Sequence, residues 1–130
     1  MKILPCVSIA TAVFQDLICW IISKYFLEKI KPEGLAKMAA ALGDNSAYSQ
    51  TIFAFAYDEK QPPLLFVGQT QGRIVEPRGS RNFGWDCCFE AEDTGKTYGE
   101  MSSEEKNQIS HRYRAMAKFI DYIRKVAKKL

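Results

Sequence analysis

Thr51-Ile-Phe-Ala-Phe-Ala-Tyr57 and Leu64-Leu-Phe-Val67 carry the fold decision. In the first, Thr51, Phe53, Phe55 and Tyr57 alternate with Ile52, Ala54 and Ala56, the period-two pattern of a strand with two apolar faces. The second is β-rich, and Asp58-Glu-Lys-Gln-Pro-Pro63 between them is a loop. Two strands joined by a short polar loop are most simply a hairpin. Gly72-Arg-Ile-Val75 is read as a continuation of the second strand past a bend.

Helical patterns stand on either side of the hairpin. Phe26, Ile30, Leu35, Met38 and Leu42 recur at near-helical spacing, and Pro32 with Gly34 breaks that run in two. Gly43-Asp-Asn-Ser46 is a turn signal between this run and the first strand. Downstream, Glu76 to Asp86 is loop-like, and such segments often carry function on a rigid scaffold. The last helix is the clearest element. Ser102 and Glu105 form a capping box. Ile109, Tyr113, Met116, Ile120, Ile123 and Ala127 then make one apolar stripe, expected to face the core. Arg124, Lys125, Lys128 and Lys129 sit in the last turns, where the helix dipole favours cations.

The totals suit one ordinary domain. The chain has 130 residues, 47% hydrophobic and 25% charged, with a formal net charge of +3. Double-stranded nucleic acid draws a stronger basic stripe than this, so no nucleic-acid partner is expected. The four cysteines form no C-x-x-C pair and there is one histidine, which argues against zinc. All four are read as reduced thiols of a cytoplasmic chain.

Residues 1–22 form an atypical apolar segment. Ile3 to Ile22 has the length of a membrane span, but a central Asp16 costs roughly 2.5–3.5 kcal/mol on insertion scales. A buried segment, a signal-like run and a stretch foreign to the domain stay open here; no membrane partner is expected.

Three groups of residues carry candidate chemistry. Gly95-Lys96-Thr97 ends like a phosphate-binding loop, but Glu90 stands where the motif needs glycine, so Asp93-Thr-Gly-Lys96 is read as a turn. In Asn82-Phe-Gly-Trp-Asp86, Phe83 and Trp85 can stack on bases and Asp86 can accept hydrogen bonds from base or sugar. Gly84 lets a ligand approach the backbone. The plainer alternative makes the aromatics core anchors and Asp86 a turn cap. On the last helix, Lys106 and Arg112 lie about 60° to either side of Ile109 and border the stripe. His111 falls about 200° away, so on an ideal helix it points outward. No nucleophile–base pair stands out, and no catalytic group is assigned.

At these residues the chain resembles a known family. Ser23-Lys-Tyr-Phe-Leu-Glu-Lys-Ile-Lys-Pro-Glu-Gly34, Asn45-Ser-Ala-Tyr48, Pro77-Arg-Gly79, Phe83-Gly-Trp-Asp86, Glu105-Lys-Asn107 and Ser110-His-Arg112 are similar to eukaryotic inosine triphosphate pyrophosphatases. The resemblance covers residue 23 to about residue 125. It implies an α/β fold, a mixed central sheet flanked by helices, here lacking the family's N-terminal strand–helix portion. It thus implies a partial domain over residues 23–130. The family activity is Mg²⁺-dependent hydrolysis of ITP, dITP or XTP to the monophosphate and pyrophosphate. A homodimer is also implied. So is a pocket in which Phe83 stacks on the base, the Phe83–Asp86 loop shapes the site, and Lys106, His111 and Arg112 line it. His111 and Arg112 would donate to the purine 6-oxo group, and Lys24 would lie near the phosphates.

The departures matter for chemistry. Cys87 stands where the family has proline after the Phe-Gly-aromatic-Asp motif. The family's phosphate loop, its metal-binding glutamate and its water-activating aspartate have no counterpart before Lys24. A metal ligand is therefore not assigned to any residue. The alternative function is a catalytically inactive chain that binds nucleotides or pairs with a full-length subunit.

Overall fold

The computed structural model describes residues 24–56 and 60–128, so the apolar segment before residue 23 lies outside the described residues. The elements are α1 (Lys24–Leu42), β1 (Ser46–Phe55), β2 (Leu64–Ile74), a 3₁₀ turn (Asp86–Cys88), β3 (Phe89–Ala91), α2 (Ser103–Ile109) and α3 (His111–Ala127). The α/β class holds: helices pack on a sheet whose three described strands run antiparallel in the order β1-β2-β3. No described helix is long and apolar enough to cross a membrane.

The hairpin forms as its alternation requires. Thr51 pairs with Gly68 and Phe53 with Phe66. Strand β1 begins earlier than the alternation from Thr51 indicates, because Ser46 leaves the turn. Its backbone N–H and hydroxyl both bond to Asp44 Oδ1, at 2.8 and 2.7 Å. The expected bend before Gly72 is absent, and β2 runs unbroken to Ile74.

α1 breaks where proline demands it. Lys31 leaves the helical region at φ 59° and ψ 170°; the extended ψ is what a residue before proline takes, while the positive φ is uncommon for a non-glycine residue. Pro32 then opens the second half, where its missing N–H costs nothing. That half buries Leu35, Ala36 and Ala39 rather than Met38 and Leu42, which stay exposed. They pack on Ala47, Ile74, Phe89 and Ala91, one face of the sheet.

The last helix departs most from expectation. Ser110 takes φ −65° and ψ 150°, ends α2 and caps α3. This break rotates the remainder. α3 buries Ala115, not the expected stripe, and Tyr113, Met116, Ile120 and Ile123 are exposed. Ala115 sits against Gly68, so closely that a Cβ there would lie 2.3 Å from the Ala115 nitrogen. Further along, Phe119 meets Phe55 and Phe66 with centroids at 5.5 and 5.4 Å.

Candidate functional site

The loop before the 3₁₀ turn is stitched to the rest of the chain by backbone bonds. Arg78 N–H donates to the Cys87 carbonyl (2.8 Å), Ser80 N–H to Gly99 (2.7 Å) and Gly99 N–H to Asp86 (3.0 Å). Gly79 has φ 80°, and a Cβ there would lie 2.3 Å from the Gly99 carbonyl carbon, so only glycine fits. Beneath the loop, Glu90 accepts from Arg73 and Arg78. Burial alone would raise the pKa of Glu90, but the two guanidinium bonds outweigh it and hold the carboxyl below its usual range. A second bond ties the same region together, from Thr97 Oγ1 to the Arg78 carbonyl at 2.9 Å.

This scaffold sets out an aromatic cluster. Phe83 is 71% exposed and Gly84 next to it has φ 40°. Trp85 turns inward, with its ring centroid 5.4 Å from Phe89, 6.1 Å from Tyr98 and 5.9 Å from His111. Tyr98 and His111 stack at 6.1 Å with a 20° interplanar angle. Lys106 donates to the Asp86 carboxylate. Its ammonium also stands 5.5 Å above the Phe83 ring and 5.1 Å above Tyr98.

His111 corrects the outward orientation drawn from an ideal helix. The break at Ser110 turns it inward, to 4% exposure. Its Nδ1 and Nε2 are both buried with no hydrogen-bond partner among the described residues. Burial first, then the charges of Arg112 and Lys106, push its pKa down to about 4. The ring is therefore neutral near pH 7, with one donor and one acceptor nitrogen.

The structure thus brings Phe83, Trp85, Asp86, Lys106 and His111 together. Arg112 follows His111 at the start of α3 and is exposed. Lys24 opens α1, but its side chain lies outside the described set. Tyr98 was missing from the candidates. Its hydroxyl lies 3.2 Å from Ser49 Oγ, and burial raises its phenol pKa. Its signal was slight: one aromatic after a glycine turn. Cys87 and Cys88 are buried free thiols, with burial pushing Cys88 up to about 12. Cys6 and Cys19 lie outside the described residues.

Two recesses open elsewhere, one of about 390 Å³ at Asn45, Tyr48, Gln71 and Arg73, the other of about 470 Å³ between Val67 and Tyr113. Neither contains a candidate residue. Among the described residues no three His, Cys, Asp or Glu side chains converge on one point, and Asp86 already holds Lys106. The residues described do not fit a Mg²⁺ site, so no chemical step is routed through one.

Fold and site define an α/β domain in which Trp85, Tyr98 and His111 cluster, with Lys106 over Phe83 and Tyr98. The chain belongs to the Ham1 family, whose model matches residues 20–122. Among solved structures it is similar to a HAM1 protein from Coxiella burnetii, 31% identical with a TM-score of 0.66, covering 72% of this chain and 50% of that one. The Staphylococcus aureus Ham1 protein is 26% identical, with a TM-score of 0.62 and coverage of 72% and 51%. A nucleoside-triphosphatase / dITP/XTP pyrophosphatase from Mycobacterium abscessus shares the fold at 21% identity, with a TM-score of 0.60 and coverage of 85% and 61%. The chain spans 50–61% of the length of these three relatives.

Proposed function

We propose that this chain recognises the base of 6-oxo purine nucleoside triphosphates such as ITP, dITP and XTP, as the base-binding half of a nucleoside triphosphate pyrophosphatase site. The observation that carries this reading is His111, a buried ring whose two nitrogens have no hydrogen-bond partner among the described residues, stacked on Tyr98, over which Lys106 holds its ammonium. Leaving buried polar atoms unpaired costs roughly 1–3 kcal/mol, which a bound ligand would recover.

In this reading Phe83 stacks on the base and Gly84 and Trp85 shape the slot. Asp86 accepts from the ligand or keeps Lys106 in place. Neutral His111 can donate to a 6-oxo group, but with the other tautomer it can accept from a 6-amino group. It discriminates weakly alone. Arg112 has donors only, so it sets the preference for the oxo base. Lys24 lies near the phosphates. A homodimer, a Mg²⁺ requirement and a cytoplasmic setting belong to this reading through the family. The catalytic group remains unassigned.

The alternative reading is a catalytically inactive chain that binds nucleotides or pairs with a full-length subunit. Pyrophosphate release from ITP and from ATP with Mg²⁺, measured beside binding, tests both. Preferential binding of ITP supports base recognition. Turnover of ITP well above background removes the second reading, and equal binding of ITP and ATP contradicts the first.

A further inference from the structure

A buried polar seam runs under the break between α2 and α3. Ser49 and Thr70 are directly opposed across β1 and β2, and neither is exposed to solvent. Opposed residues of an antiparallel pair put their side chains on the same face. The Tyr98 hydroxyl lies 3.2 Å from Ser49 Oγ, on a residue that is itself buried. Buried hydroxyls are costly unless they meet polar groups, and the helix break supplies two.

In an unbroken helix the Ile109 carbonyl would accept from Tyr113 N–H, and His111 N–H would donate to the Asn107 carbonyl. With Ser110 at φ −65° and ψ 150° that ladder is interrupted. Tyr113 N–H turns to Ser110 Oγ at 3.3 Å, and the Ile109 carbonyl accepts from Thr70 Oγ1 at 2.7 Å. Burial raises the phenol pKa of Tyr98, and bonds with Ser49, Thr70 and the His111 backbone oppose that rise. A backbone group favours a phenolate only by donating to it, so the freed His111 N–H faces the Tyr98 oxygen.

The consequence falls on the His111 side chain. Ile109 is partly buried and packs on the core. A helix continued past it would carry His111 about 200° round, away from that core. With the break held, the ring is buried, its centroid 6.1 Å from Tyr98 and 5.9 Å from Trp85.

We propose that Thr70 and Tyr98 are positioning residues for His111: their hydroxyls hold the break between α2 and α3 and so keep the imidazole inside the cluster. Thr70 acts on the Ile109 carbonyl, the last of α2. Tyr98 acts at the first residue of α3, while its ring lies against the imidazole. Ser49 fixes the Tyr98 hydroxyl from β1. The effect on ligand binding rests on the base-recognition reading; the placement of the ring does not.

His111 is the one histidine of the chain, so its Cε1 proton resonance can be followed through a pH titration of the full chain without ambiguity. Thr70→Val keeps the side-chain shape and removes the hydroxyl, Thr70→Ser keeps the hydroxyl, and Tyr98→Phe keeps the ring. All three leave Arg112 and Lys106, whose charges reach His111, in place. In Thr70→Val and Tyr98→Phe the His111 titration should move up toward the ordinary value near 6.5. Inosine 5′-monophosphate should bind both at least about fivefold more weakly. Thr70→Ser should match the parent in both readouts. If Thr70→Val loses its cooperative melt, Tyr98→Phe decides. An unchanged titration in a folded variant overturns the proposal, as does a move that Thr70→Ser shares equally with Thr70→Val. A titration that moves as expected, while parent and variants all fail to bind the nucleotide, supports the positioning and overturns base recognition.

Discussion

Lys106 donates to Asp86 across 20 residues of sequence and holds its ammonium over Phe83 in the same pose. One cation thus ties α2 to the loop and covers the Phe83 ring. Cation–π contacts of this kind contribute about 0.5–1 kcal/mol at exposed sites.

Lys106→Met should leave the Asp86 carboxylate, 13% exposed, without its charged partner. A destabilisation of about 1–3 kcal/mol is expected, read as a lower urea midpoint at unchanged m. Asp86→Asn added to it should recover part of the loss. Additive losses would show that the pair is uncoupled.

His111 gives stability a defined pH dependence. Its folded pKa, about 4, lies below the unfolded value near 6.5. The unfolded chain therefore binds more protons between those values, and stability rises with pH through that window. It is greatest above about pH 6.5 and falls as pH drops toward 4, by on the order of 3 kcal/mol in total for this one group. Urea unfolding between pH 7 and 5 reads it before most carboxylates titrate. His111→Phe should flatten the slope, and an unchanged slope would remove His111 as its source.

Gly68 is where α3 meets the sheet. An added Cβ would lie 2.0 Å from the His111 carbonyl oxygen and 2.3 Å from the Ala115 nitrogen. Neither is a flexible side chain, so α3 must move. Gly68→Ala should destabilise by about 3 kcal/mol or more, and a thermal melt within a degree or two of the parent would contradict the close approach.

Phe83 is mostly exposed, so its removal should separate binding from folding. Phe83→Ala should weaken inosine nucleotide binding by roughly 1–3 kcal/mol, the range for base–aromatic stacking. The melting temperature should hardly change. A large fall in melting temperature would make the ring a core anchor instead.

Arg112→Ala should weaken binding of 6-oxo purine nucleotides more than that of ATP, by about tenfold. Calorimetric titration of both nucleotides checks it. Equal losses would mean that Arg112 reads only phosphate.

Much of the frame was legible in the sequence. The hairpin, the break at Pro32, the Ser102–Glu105 capping box and the turn at Gly95 follow from local chemistry, and local chemistry is what sequence spells. The orientation of α3 was not. Ser110 is a cap without a glutamate three residues on, so nothing marked a new helix start inside an apparently continuous stripe. Tyr113, Met116, Ile120 and Ile123 outweighed Ala115, Phe119 and Tyr122 by hydrophobicity, yet the smaller set packs. Ala115 can approach Gly68, and the two rings meet Phe55 and Phe66. That contact joins residues far apart in the chain, and it is also what turns His111 inward against Trp85 and Tyr98.

In the proposed function, the cluster of Phe83, Trp85, Lys106, His111 and Arg112 reads a base. Titration of the full chain with inosine 5′-monophosphate and adenosine 5′-monophosphate isolates that reading from triphosphate and metal. The inosine nucleotide should bind at least about tenfold more tightly, and Arg112→Ala should abolish the preference. Equal affinity for the two, or a preference that survives Arg112→Ala, would contradict it.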